Sequence, residues 1–134
     1  MQSIKLMIVS LLFGVVASQG AIAHSMTPGY EKIFAPGTAK SIRYTVKNDY
    51  DYPATFRVEV YDKYGEELEV DWKVDKEKFK LFSDASQRVN VKIRMKEDLK
   101  ERKVLVCSVL DKVGYNDEEP ATISRVCSRL WLWR

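Results

Sequence analysis

The sequence predicts an all-β domain of two facing antiparallel layers. Three observations carry this. Four segments alternate apolar and polar residues with a period of two, as half-buried strands do. Clusters of turn-forming residues separate them at short intervals. After residue 23, no segment shows helical spacing of apolar positions over more than one turn.

The first segment stands apart. Lys5 is the only charge ahead of His24, the run "LMIVSLLFGVV" is apolar, and Ala21 and Ala23 form a small-residue cleavage site. These are the three parts of a secretory signal peptide, with cleavage expected after Ala23. The apolar run is short for a membrane span and lacks a basic flank behind it. Residues 1–23 are therefore read as a leader and residues 24–134 as one exported domain. With one Lys and no acid in the leader, the remainder is close to neutral. Basic and acidic residues alternate along it ("DKYGEE", "KVDKEKFK"), which argues for a solvated surface and against nucleic-acid binding.

A first strand is expected from about Met26 to Phe34, ending at the turn "APGT". "KSIRYTVKN" places Ile42, Tyr44 and Val46 on one face, and "NDYDYP" turns the chain. "ATFRVEVYD" aligns Phe56, Val58 and Val60, followed by the turn "KYGEE". "ELEVDWKV" alternates Leu68, Val70, Trp72 and Val74. After the turn "SDASQ", "RVNVKIRM" gives Val89, Val91, Ile93 and Met95 against Arg88, Asn90, Lys92 and Arg94. "KEDLKER" is expected to form a single helical turn. "KVLVCSVLD" is apolar at both parities, as in a strand covered on both faces. The last strand runs from about Thr122 to Arg134. Seven short strands in one domain fit a seven-stranded immunoglobulin-like antiparallel β-sandwich.

Two cysteines in an exported chain favour a disulfide over a two-thiolate metal site, which would lack further ligands. The midpoint between Cys107 and Cys127 is Asp117, inside the turn-like "VGYNDEEP". Folding the last two strands about that point sets the cysteines opposite one another, within disulfide reach.

The domain is expected to be non-catalytic. His24 is the only histidine, so no Ser-His-Asp or Cys-His set can form, and Asp49, Asp51, Glu66, Glu67, Asp117, Glu118 and Glu119 sit in polar turns, whereas a catalytic acid usually needs burial or a close like charge. Cleavage after Ala23 would expose the amine and imidazole of His24 to copper, with Met26 as a soft neighbour, but no second imidazole exists. "NDEE" offers oxygens to calcium without a Gly-punctuated ligand pattern, and a hairpin tip is the simpler reading. No cofactor is expected.

The ending "SRLWLWR" puts Leu130 and Leu132 on one face and Trp131 and Trp133 on the other. Burying each Leu is worth about 1.5–3 kcal/mol, so the leucines can hold the strand in the core. The tryptophans then face outward with Arg129 as a partner-binding patch on an edge strand; otherwise they pack under a loop or the phase of the strand is reversed.

Several stretches together resemble the first domain of the periplasmic pilus chaperones of the PapD-like superfamily. "APGTAKSIRYTVKNDYDYPATFRVEVYD" looks like that family's turn with Gly, strand, V-x-N and Pro-ended loop. "FKLFSDASQRVNVKIRM" resembles a second family segment, with Ser83 and Ala85 where Pro and Gly are usual. "SRLWLWR" is similar to the close of its seventh strand. The resemblance implies that Arg129 stands where the family anchors a subunit's carboxyl terminus. It also implies a basic partner on the first strand, for which Lys32, beside Glu31, is the candidate. The sequence stops at Arg134, where the family continues into a second domain, and neither parity of Thr122 to Arg129 carries the large apolar residues of a donor strand.

The leading expectation is a periplasmic chaperone-like protein, a monomer when alone, that assists assembly of a pilus or other surface structure. It would bind protein subunits through edge-strand pairing, using Arg129, Trp131, Trp133 and Lys32. It would insert in no membrane once the leader is removed. The alternatives are a structural component of an envelope or secretion complex and a copper-handling protein acting through His24.

Overall fold

The computed structural model describes residues 24–134. The expected leader and its cleavage site lie outside the described residues. Nine strands form: β1 (His24–Thr27), β2 (Tyr30–Phe34), β3 (Ala39–Asn48), β4 (Ala54–Asp62), β5 (Trp72–Val74), β6 (Lys78–Leu81), β7 (Ser86–Arg94), β8 (Glu101–Val113) and β9 (Arg125–Trp133). They make two facing sheets, β1-β3-β7-β5 and β2-β9-β8-β4-β6. No helix occurs among the described residues. The expected helical turn at "KEDLKER" is a tight turn closed by the Leu99 N–H on the Lys96 carbonyl, with Lys100 leading into β8.

The period-two pattern builds the core as expected. Ile42, Tyr44 and Val46 of β3 and Val89, Val91 and Ile93 of β7 point inward, against Phe56, Val58 and Val60 of β4 and Val104, Val106, Leu130 and Leu132 of the facing sheet. β8 is buried on both faces, as its unbroken apolar run predicts. Cys107 and Val109 turn to the outer side, where Tyr61, Leu105 and Cys127 cover them.

The count of seven strands is corrected to nine by one split strand and one added strand, and a further expected strand is shortened. The expected first strand is two. Pro28 lacks an N–H to continue a ladder, and at the cis Thr27–Pro28 bond the chain leaves one sheet for the other. "ELEVDWKV" does not run as one strand either. The Leu68 N–H bonds the Val60 carbonyl of one sheet, whereas Trp72–Val74 pair with β7 of the other. The crossing turns at Asp71, whose φ is 70°, and leaves Val70 68% exposed where alternation predicts burial. Finally, "KFKL" pairs with β4 as the outermost strand β6.

Two further corrections bear on function. The sandwich is not wholly antiparallel, because β2 runs parallel to β9 from Tyr30↔Arg129 to Phe34↔Trp133. The last strand is therefore not an edge strand over its basic and aromatic half. β2 lies along it, and the Ala35 N–H bonds the Trp133 carbonyl. This placement half-buries Ile33 against the core, which an uncovered β9 could not do.

The disulfide joins Cys107 to Cys127, which lie opposite each other in the β8/β9 register with Cα atoms 4.0 Å apart. The hairpin turns where expected, with positive φ at Gly114 (78°) and Asp117 (49°). Near the β3–β4 turn, Asn48 is fully buried. Its amide donates to the Tyr52 and Leu81 carbonyls at 2.9 and 3.0 Å, and its Oδ1 accepts the Tyr50 N–H at 2.9 Å.

Candidate functional site: an aromatic and basic face beside an open strand end

Alternation along β9 puts Leu130 and Leu132 in the core and Arg129, Trp131 and Trp133 on the outer side, as the first of the two sequence readings has it. β2 and β8 flank it with their own outward residues, and the registers align them in rows. Tyr30, Arg129 and Leu105 form one row, Lys32, Trp131 and Lys103 the next, and Phe34, Trp133 and Glu101 the last. The four residues picked from sequence thus lie on one surface.

Charge and ring faces interlock there. Lys32 Nζ stands 4.1 Å from the centre of the Trp131 ring and 6.0 Å from that of Trp133, while Lys103 Nζ covers Trp131 at 4.3 Å. Such ammonium–ring contacts are worth about 0.5–1 kcal/mol at exposed sites. The Trp131 indole N–H donates to Glu101 Oε2 at 3.1 Å, and the rings of Phe34 and Trp133 are tilted 4.8 Å apart. Tyr30 is 56% exposed, Phe34 51% and Trp133 40%. An open groove of ≈ 510 Å³ runs between Tyr30, Lys63, Leu105, Arg129 and Trp131. Sequence reasoning missed Tyr30, Phe34, Lys103 and Glu101. The alternation of Tyr30, Lys32 and Phe34 against Glu31 and Ile33 was a signal, but only the parallel pairing puts it beside Trp131.

The other half of β9 is differently placed. The Arg129 N–H bonds the Gly29 carbonyl, away from β8. The same alternation turns the backbone groups of Arg125 and Cys127 in that direction. There β1 belongs to the other sheet and packs beside β9 without pairing with it, so no strand among the described residues is hydrogen-bonded to Arg125 to Ser128 on that side. Ile123, just before β9, is 81% exposed.

Beneath this edge lies a polar cluster. The Arg125 guanidinium covers the Tyr61 ring at 4.5 Å, and the Tyr61 hydroxyl donates to Glu59. Arg57 pairs with Glu59 at 2.7 Å and with Asp111 at 2.8 Å. Burial, then the bond and charge of Glu59, push the Tyr61 phenol up to about 12. Burial also works to raise the Glu59 carboxyl, but Tyr61 and Arg57 outweigh it and hold the group below its usual value. Both residues keep their ordinary charge states at neutral pH, so the cluster ties strands together and offers no poised acid or base.

His24 does not join the face. Its ring is buried 4.8 Å from Phe56, and Nε2 lies 3.1 Å from the Ser108 carbonyl. Burial lowers its pKa, and the Ser108 contact opposes this. The imidazole thus occupies a core position in the described structure. No group of three His, Cys, Asp or Glu side chains suited to a metal occurs among the described residues. At the hairpin tip, Asp117 pairs with Lys80 at 3.1 Å and Glu119 with Lys112, as an ordinary solvated turn does.

No protein-family model matches the chain, and no curated protein matches it by sequence. Solved structures match it in fold. The periplasmic chaperone SfaE superposes with a TM-score of 0.62 at 10% identity, covering 82% of this chain and 57% of its own. The SafB chaperone of Salmonella enterica, solved in complex with the SafA pilin, gives 0.61 at 15% identity, covering 82% and 53%. A PapD-like domain of human CEP192 gives 0.58 at 10% identity, covering 84% and 85%. The chain spans just over half the length of the chaperones. The described domain therefore has the PapD-like, immunoglobulin-like sandwich fold, which bacterial chaperones share with domains of other kinds.

Proposed function

We propose that this protein is an exported, non-catalytic chaperone-like binding protein. It captures protein subunits of a surface or envelope assembly in the periplasm. The observation that carries the reading is the continuity of two features on β9. The strand end from Arg125 to Ser128 is unpaired on its side away from β8, where an incoming strand would pair by displacing β1 from beside it, and the surface of Lys32, Arg129, Trp131 and Trp133 continues from it. Main-chain pairing at the open end would supply binding, and the aromatic and basic side chains would supply selection. The likeness to SfaE and SafB in fold supports the class of partner.

The test is partner capture from the native envelope, using tagged full chain, cross-linking and identification of the bound subunit. Arg125→Pro removes an N–H that points away from β8, so it blocks strand addition without breaking the β8/β9 ladder. Arg125→Pro, and separately Trp131→Ala with Trp133→Ala, should lose the same subunit, while Arg125→Ala retains it through main-chain pairing. Capture that survives both the proline and the double tryptophan variant would refute the reading.

A structural component of an envelope complex is the second reading. It is supported by the occurrence of the same fold in a CEP192 domain, outside the chaperones. The two separate by lifetime: a chaperone leaves the finished assembly, and a component stays in it.

A further inference from the structure

The opposite side of the sandwich carries a second surface of different chemistry. The inward residues of β3, β5 and β7 pack on the core, so their outward positions share one face. Arg43 and Lys47 of β3, Arg88, Lys92 and Arg94 of β7, and Lys73 of β5 all point there, and all six are exposed. Adjacent strands lie about 4.8 Å apart and same-face residues about 7 Å apart along a strand, so the cations form a dense lattice. Ser41, Thr45 and Asn90 fill the positions between them.

This charge is not neutralised within the protein. Lys47 meets Asp49 at 3.5 Å, but none of Arg43, Lys73, Arg88, Lys92 and Arg94 is in an ion pair among the described residues. Asp75, at the end of β5, has its carboxylate engaged by the Asn90 main-chain N–H at 2.8 Å and side-chain amide at 2.9 Å. Lysines on the other sheet do have partners, Lys78 with Asp111 and Lys80 with Asp117. Lys73 and Lys92 are directly opposite across β5 and β7, an arrangement that destabilises a sheet unless something negative lies over it.

We propose that this face docks the domain onto the anionic headgroups of a lipid bilayer, lying on the membrane without spanning it. Three features favour a membrane over a macromolecule in solution. The cations spread over three adjacent strands, β3, β7 and β5, and so can meet many headgroups at once. No aromatic side chain stands among the cations, and three of the six are Lys, a residue depleted from protein interfaces. At one corner exposed Val70 adjoins Lys73, Lys92 and Arg94 around an open hollow of ≈ 520 Å³, whose one acid, Asp71, is paired with Lys96 and Arg102. An exposed apolar residue beside a basic cluster suits the boundary between headgroups and acyl chains.

The test is co-flotation of protein produced from the full chain with two sets of vesicles, phosphatidylcholine alone and phosphatidylcholine with about 30% phosphatidylglycerol. Binding is expected to the anionic vesicles only and should fall as salt is raised. A leader still attached would bind both sets alike, and that result would overturn the proposal. Lys73→Gln with Lys92→Gln and Arg94→Gln should weaken binding about tenfold or more, because each cation near an anionic surface contributes separately. Their melting temperature should hold or rise, since the Lys73–Lys92 repulsion is relieved. Lys32→Gln with Lys103→Gln, on the other sheet, should leave vesicle binding unchanged. Retention by the triple variant, or equal loss in both sets of variants, would overturn the assignment. So would capture of polyglutamate without capture of vesicles, which would give the face to an acidic polypeptide instead.

Discussion

Lys32 holds its ammonium 4.1 Å above the ring of Trp131, the residue paired with it across the parallel β2/β9 ladder. The contact depends on a pairing between segments about 100 residues apart in the chain. It shows how the terminal tryptophans are held: their leucine neighbours anchor the strand, and β2 brings the cation. Stability and surface should therefore separate by parity along β9.

Leu132 is fully buried, and Leu132→Ala should cost about 2–5 kcal/mol, seen as a large fall in denaturant midpoint. Trp133→Ala removes a ring that is partly open to water and should cost about 1 kcal/mol or less. Equal losses in the two variants would place Trp133 in the core.

The cystine closes a loop with a sequence separation of 20. Replacing both cysteines by Ser should lower stability by about 3 kcal/mol through the entropy regained by the unfolded chain. Urea unfolding of the double variant beside the oxidised protein measures this directly. A difference near zero would mean that the rest of the β8/β9 hairpin already constrains the unfolded ensemble.

Asn48 satisfies two carbonyls and one N–H that are otherwise withdrawn from water. Asn48→Ala should cost roughly 2–4 kcal/mol, more than its lost volume implies, because those groups are left unpaired. Thermal melting of Asn48→Ala beside Val46→Ala, a fully buried neighbour, distinguishes polar from cavity loss.

Burial lowers the folded-state pKa of His24 below its ordinary 6.5. A depressed pKa means that the unfolded chain takes up the proton first. The stabilising contribution is therefore complete above about pH 6.5 and is lost as pH falls through that value toward the folded-state pKa. The melting temperature should drop between pH 7.5 and 5, and His24→Gln should flatten that limb. An unchanged slope in the variant would assign the pH response to other groups.

Much of the architecture was legible in the chain because its cause is local. Alternation of Ile42, Tyr44 and Val46, or of Val89, Val91 and Ile93, dictates which side of a strand seeks the core, whatever it meets there. The cysteine pairing followed from the hairpin, whose turn residues sit midway between the partners. The division between Leu130/Leu132 and Trp131/Trp133 followed from parity alone.

What the sequence did not disclose is which strands become neighbours. Strand pairing is a long-range choice decided by the closing of the whole sandwich. Pro28 marks a break, but only the assembled sheets show β1 and β2 going to different layers. That crossing covers the second half of β9, leaves its first half without a paired strand on that side, and sets Lys32 over Trp131. In the facing sheet the same long-range pairing gathers Lys73, Lys92 and Arg94 onto one surface. Each looks like an ordinary solvated charge in the sequence, and only adjacency of their strands makes them a field.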